Sequence, residues 1–237
     1  MHSYCLLLFV IFAGLVTTGQ DRDRNDEPYE RERLLMVRNQ LQARDIQHRA
    51  TLNAMRTVPR HLYVPPAQQR FAYQDRPLPI GYGQTISQPY IVAYMTQIIR
   101  PAPGFRILEI GTGSGYQAAV LAEIAGEVYT VEIIEELGRS AKSLLEQQYD
   151  NVHVKIGDGY YGWEEHGPFD AIVVTAASEH IPPLLLEQLK EGGRMIIPVG
   201  SPFQVQILML VEKKASGITT RSLMPVRFVP FTREHSK

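Results

Sequence analysis

From Arg106 to Val199 the chain alternates short apolar runs with helix-length segments, and no other feature restricts its fold as much. Arg106 to Ile110, Val128 to Val131, Val152 to Ile156, Ala171 to Thr175 and Arg194 to Val199 read as strands. Tyr116 to Ala125, Glu135 to Gln148 and Pro183 to Lys190 read as the helices between them. Strands that alternate with helices build right-handed crossovers, so the expected class is α/β: a doubly wound, mostly parallel sheet with helices on both faces. Gln206 to Lys213 and Thr219 to Phe228 flank a Lys-Ala-Ser-Gly turn and predict a C-terminal antiparallel hairpin at the sheet edge.

The rest of the chain is organised around this core. The expectation is one domain over residues 34–237, with a helical region at 34–103, a cofactor-binding core at 104–200 and C-terminal strands at 201–237. Leu34, Val37, Leu41 and Ile46 have a roughly helical period, and Thr51 to Thr57 reads as a second short helix. Residues 72–90, rich in Pro, Gly and polar side chains, read as one long irregular stretch. Residues 20–33 carry both signs of charge and read as a solvated linker. No Asp, Glu, Lys or Arg precedes Asp21, and residues 5–16 are almost purely apolar. That run is shorter than a spanning helix needs. Residues 1–19 read as a signal-like or anchoring segment, with a mis-assigned start as the alternative. Cys5 is the only cysteine, so disulfides within the chain and Cys-rich metal sites are excluded. The 24 basic and 25 acidic residues leave a net charge of -1, which argues against a nucleic-acid partner held by bulk charge.

In an open parallel sheet, ligands bind beyond the carboxyl ends of the strands where the strand order reverses. Three features fall at such ends. Glu109-x-Gly111-x-Gly113-x-Gly115 closes the first strand and opens a helix, with Thr112 inside the turn. Glu132 ends the second strand, 17 residues past Gly115, where a carboxylate would accept ribose hydroxyls. Asp158 and Gly159 follow the third strand, with the acid placed to reach an adenine edge. The third glycine comes one residue earlier than in the dinucleotide fingerprint, and no phosphate-loop pattern is present. A sulfonium nucleoside has no pyrophosphate to cradle, so the spacing favours S-adenosyl-L-methionine over NAD or ATP.

The ExGxGxG turn, the acid of the second strand and the Gly157-Asp158-Gly159 turn resemble the class I S-adenosylmethionine-dependent methyltransferases, which implies a Rossmann-like methyltransferase fold. Val58-Pro59-Arg60-His61-x-Tyr63-Val64-Pro65, Ala72-Tyr73-x-Asp75-x-Pro77-Leu78-Pro79-Ile80-Gly81 and Gly83-Gln84-Thr85-Ile86-Ser87-Gln88-Pro89 narrow the match. With Arg227-Phe228-Val229-Pro230-Phe231-Thr232 they resemble the protein-L-isoaspartate O-methyltransferase family from about Leu34 to Glu234. The leader departs from the family pattern. So does Asp45, where the pattern has glycine, which predicts a cost at that helix end.

The resemblance implies methyl transfer to the free α-carboxyl of L-isoaspartyl residues in damaged proteins and peptides, without a metal. The ester would then collapse to a succinimide and restart repair. Ser87 matches the family's active-site serine and would orient the substrate carboxylate; on the residues alone it reads equally well as a helix cap. Thr85 reads as a contact to cofactor or substrate, and Thr232 as a substrate-side or cofactor-side contact or a plain strand residue. The family pattern places Glu109 near the methionine part of the cofactor; a structural partner for a buried strand-end acid is the other reading. A methyltransferase of different specificity and a non-catalytic cofactor-binding module are the competing functions. Cofactor supply favours a cytoplasmic enzyme, against a periplasmic, secreted or membrane-tethered one held through residues 5–16.

Overall fold

The computed structural model describes residues 20–201 and 204–233; the leader expected over residues 1–19 lies outside them. Seven strands form the main sheet. They are β3 (Arg106–Ile110), β4 (Glu127–Glu132), β5 (Val152–Ile156), β6 (Phe169–Val174), β7 (Leu189–Val199), β8 (Gln206–Lys214) and β9 (Gly217–Val226). Their spatial order is β5-β4-β3-β6-β7-β8-β9. The first five strands in this order pair in parallel, and β8 and β9 extend the sheet antiparallel. The doubly wound α/β expectation therefore holds, as does the terminal hairpin.

Strand composition explains the layering. Side chains alternate between faces, and a parallel sheet covered on both sides needs apolar residues at nearly every position. Ile107, Val128, Ala171 and Val173 pack on the face that meets α3 (Pro89–Ile99), α4 (Tyr116–Ala122) and α5 (Glu135–Glu146). Leu108, Ile110, Tyr129, Val131, Ile172 and Val174 pack on the other face, with Leu185 of α6 (Pro183–Glu187). The eleven residues of β7 start five residues earlier than expected. Leu189, almost wholly buried, pairs with Phe169 and converts the end of the expected helix into strand.

Three expectations change in the N-terminal half. The stretch read as a linker is helical: α1 spans Gln20–Met36 and continues into a π-helical turn at Val37–Gln42, ahead of α2 (Arg49–Thr57), the expected second short helix. Arg and Glu are good helix formers, and the helix is anchored at its C-terminal end. Tyr29 stacks on His61 with ring centroids 4.1 Å apart, and buried Arg33 donates to the Arg56 carbonyl at 2.6 Å. The packed body thus begins before Leu34. Next, the stretch 72–90 is ordered around a hairpin of β1 (Leu78–Gly81) and β2 (Gln84–Ile86). Leu78 and Ile86 face each other across it and are buried. The third change concerns Asp45. Its backbone is not left-handed, so no glycine is required there, and its carboxylate accepts the Tyr90 hydroxyl at 2.8 Å.

Asp75 carries out the capping that Ser87 was one candidate for. The N-cap residue of α3 is Gln88, which makes no side-chain cap. Asp75 Oδ1 accepts the Tyr90 N–H at 3.0 Å, and Oδ2 accepts the Gln88 amide at 2.8 Å and Arg44 Nη1 at 3.0 Å. Among the described residues no helix is long and apolar enough to cross a membrane.

Removing this cap should be measurable. Asp75→Ala is expected to lower unfolding free energy by ~1–2 kcal/mol in urea denaturation, the usual scale for a lost N-cap acceptor. An unchanged midpoint would show that Asp75 does not hold α3.

Candidate functional site

After β3 the chain crosses to β4 on one side, and β6 lies on the other, so the loops leaving these strands diverge. The resulting cleft is lined by Ile110, Gly111, Gly113, Val131, Glu132, Ile133, Ile134, Gly159, Thr175 and Ala176, together with Gln84, Thr85 and Val229–Thr232. A smaller inner recess adjoins it, lined among others by Glu109, Thr112, Ser114, Tyr116 and Gln117, with Thr85, Ser87 and Thr175. An open groove lies on the other side of the same loop. Pro77, Thr85, Ser87, Gln88, Ile91, Thr175, Val205 and residues 225–229 line it. Thr85 and Thr175 border all three spaces, and Ser87 stands between recess and groove.

The glycine turn has a local cause. Gly111 has φ +94°, and a Cβ there would lie 2.4 Å from Thr175 Oγ1. That hydroxyl reaches the Ile110 and Gly111 carbonyls at 2.9 and 2.7 Å, stitching the ends of β6 and β3 together. Gly115, at φ +87°, precedes α4, and a Cβ there would press on Leu145 at 3.0 Å. The turn is fixed from the other side by Glu132. Its Oε2 accepts the Gly113 N–H at 2.8 Å and its Oε1 accepts the Ile134 N–H at 2.9 Å.

Glu109 has a different environment. It is fully buried, its Oε2 accepts the Thr130 hydroxyl at 2.5 Å, and Thr112 and Thr130 share a 2.7 Å hydrogen bond. Oε1 has no hydrogen-bond partner among the described residues. Burial pushes the carboxyl up to about 8; the Thr130 bond opposes this and the Glu132 charge adds to it. An orphaned buried oxygen beside a recess is what a hydrogen-donating or cationic ligand group would satisfy.

The sequence candidates thus converge. Glu109, Thr112, Gly113 and Gly111 meet at the recess, and Gly113, Glu132, Gly159 and Thr232 meet at the cleft. Thr232 lines the cleft, in an irregular segment rather than a strand. Gly115 supports the turn from behind. Asp158 is not among the residues lining the cleft; its Oδ1 accepts the Tyr160 N–H at 2.9 Å and its Oδ2 accepts Arg233 Nε at 2.8 Å. Trp163 packs edge-on against Tyr129. Sequence reasoning missed Thr175 and Val229–Phe231 as lining residues. Thr175 ends a strand that had been identified, so the rule about carboxyl ends could have found it.

The buried carboxyl should make stability depend on pH. Its folded value lies above the ordinary 4.5, so the folded protein holds an extra proton between pH 4.5 and about 8. Stability from Glu109 is therefore full below that window and declines as pH rises through it. Without added ligand, Glu109→Gln is expected to gain ~1 kcal/mol or more over the parent between pH 5 and pH 8 in urea denaturation. Parallel pH profiles for the two proteins would refute the assignment.

Comparison with known proteins agrees with this geometry. The family model described as Protein-L-isoaspartate(D-aspartate) O-methyltransferase matches residues 31–236. The Protein-L-isoaspartate O-methyltransferase of Opitutus terrae is 57% identical over 230 residues, 97% of each chain. The Protein-L-isoaspartate O-methyltransferase 2 of Polaromonas sp. is 63% identical over 180 residues, 75% of this chain and 85% of that one. A solved Plasmodium falciparum structure, named for a protein-L-isoaspartate O-methyltransferase in complex with S-adenosyl-L-homocysteine, superposes with TM-score 0.74 at 28% identity. It covers 85% of this chain and 99% of that one. A second solved protein-L-isoaspartate O-methyltransferase gives TM-score 0.75 at 28% identity over 85% of this chain, which spans 65% of that longer chain. With a family model matching residues 31–236 and relatives 57–63% identical, this chain belongs to the protein-L-isoaspartate(D-aspartate) O-methyltransferases.

Proposed function

We infer that this chain transfers a methyl group from S-adenosyl-L-methionine to the free α-carboxyl of L-isoaspartyl residues in damaged proteins and peptides. The observation that carries the reading is the position of Ser87: it borders the inner recess of the cofactor site and the open groove at once. Bound in the cleft, the cofactor supplies a methyl group made electrophilic by a sulfonium.

The residues present fit such a ligand. Glu132 is placed for the ribose hydroxyls, Gly111 and Gly113 allow close backbone approach, and the unpaired Glu109 Oε1 awaits a donor in the recess. The substrate carboxylate is ionised at neutral pH, since ordinary carboxyl values lie near 4, so the site needs no strong base. What it must do is orient an oxygen in line and keep water out. The hydroxyl of half-buried Ser87 makes no hydrogen bond to another described residue and is available to donate to that carboxylate. Asp75 supports this task from outside by fixing Gln88 and Tyr90, the residues that follow Ser87. Thr85 and Thr175 border both spaces and shape the passage between them. The groove takes an extended stretch of polypeptide, which agrees with clients that expose flexible damaged segments. The cytoplasm is the compartment we favour, because the methyl donor is made there.

Tritiated S-adenosyl-L-methionine with an isoaspartyl peptide and its aspartyl twin tests the reaction. Label is expected in the first peptide and near background in the second; equal labelling would indicate another specificity. Ser87→Ala is expected to lower kcat/KM for the isoaspartyl peptide by ~10²-fold, the scale of one lost orienting donor, while S-adenosyl-L-homocysteine still binds in calorimetry. Full activity in that variant would remove Ser87 from the mechanism.

A further inference from the structure

The C-terminal arm beyond β9 forms part of the cofactor cleft, and it is held there by a contact that the reaction itself does not require. Val229, Pro230, Phe231 and Thr232 supply one wall. The backbone is docked at Ala177, whose N–H donates to the Val229 carbonyl and whose carbonyl accepts the Phe231 N–H, both at 2.8 Å. Beyond Phe231 the arm reaches back to the body through Arg233. Its Nε donates to Asp158 Oδ2 at 2.8 Å, and its guanidinium carbon lies 3.6 Å from the centre of the Tyr160 ring. The Asp158 side chain is 3% exposed and the Arg233 side chain 40%, so one partner is fixed and the other can leave.

We propose that Arg233 is a positioning residue that latches the arm across the cofactor cleft and sets how long the nucleoside is retained. The inference rests on the proposed function, because the ligand retained is S-adenosyl-L-methionine or its demethylated product. Its physical basis is local. An ion pair open to water on both sides contributes little. Here the carboxylate is buried and pre-aimed by its bond to the Tyr160 N–H, and the guanidinium lies flat on an aromatic face, which adds a cation–π attraction. That combination closes the arm yet remains weak enough to open in each cycle. Residues 229–232 form one wall of the cleft, so a latch that holds this wall in place acts on nucleoside exchange and not on the methyl transfer step.

The test uses the full chain and S-adenosyl-L-homocysteine. Its dissociation rate is measured by rapid mixing with excess unlabelled competitor, for the parent, Arg233→Ala and Arg233→Lys. Arg233→Ala is expected to release the nucleoside about tenfold faster and to raise KM for the methyl donor. KM for the isoaspartyl peptide at saturating donor should stay near the parent's. Arg233→Lys keeps the charge but cannot lie flat on Tyr160, so its rate should fall between the two. Release from the parent should accelerate with added salt, and release from Arg233→Ala should not. A variant rate within twofold of the parent's, or tighter nucleoside binding without Arg233, overturns the latch while leaving the functional reading intact. A parent that does not bind S-adenosyl-L-homocysteine overturns the functional reading, and the latch with it.

Discussion

Strand β3 lies in the middle of the sheet, bonded in parallel to β4 on one side and β6 on the other. Beyond their carboxyl ends the chain of β3 turns toward β4 and the chain of β6 toward β7, and the gap between them is where the cleft forms. The rest of the site follows from closing the ends of that gap without filling it. Thr175 does so on the β6 side by bonding the Ile110 and Gly111 carbonyls, which leaves no room for a side chain at Gly111. Glu132 does so on the β4 side by accepting two backbone N–H groups, one from the glycine turn and one from its own strand's exit. The turn is therefore shaped before any ligand arrives, so little ordering remains to be done on binding.

The N-terminal half solves a different problem, which is to bring Thr85 and Ser87 over the edge of this gap. It does so with buried polar groups rather than a regular layer. Arg60 is completely buried, donates through Nε to the Ala72 carbonyl at 2.7 Å and lies over the Tyr116 ring. Burial lowers its guanidinium to about 10. His61 Nδ1 is 2.8 Å from the Tyr73 hydroxyl. These contacts tie the Val-Pro-Arg-His segment to the stretch that leads into the hairpin carrying Thr85 and to the first residue of α4. The Val-Pro-Arg-His segment is thus largely a brace for the loop that presents Thr85 and Ser87.

The sheet was legible because a covered parallel strand needs apolar residues on both faces, and the five runs from Arg106 to Val199 provide them. The glycine turn was legible because it stands at a strand's end and opens a helix. What stayed hidden depends on partners distant in sequence. The charged stretch before Leu34 has no apolar face of its own; it is helical because Tyr29 meets His61 and Arg33 meets Arg56, contacts that no local period announces. The hairpin at 78–86 was obscured by its prolines and glycines, although buried Leu78 and Ile86 pair across it. Asp75, not Ser87, caps α3 because a cap can come from a side chain 15 residues upstream of the N–H it satisfies.

Glu109 and Glu132 show how differently two acids at neighbouring strand ends can be used. Both are buried, and the sequence treats them alike, as acids of a cofactor motif. Glu132 accepts two backbone N–H groups, whereas Glu109 has a single hydroxyl and an oxygen left over. A carboxylate with two N–H partners can serve as a fixed anchor for the turn. A carboxyl with an unmet oxygen is under tension until something enters the recess beside it. The first shapes the turn, and the second leaves an acceptor open at the recess. This division places the unmet oxygen at the inner end, in the recess that Ser87 borders together with the open groove.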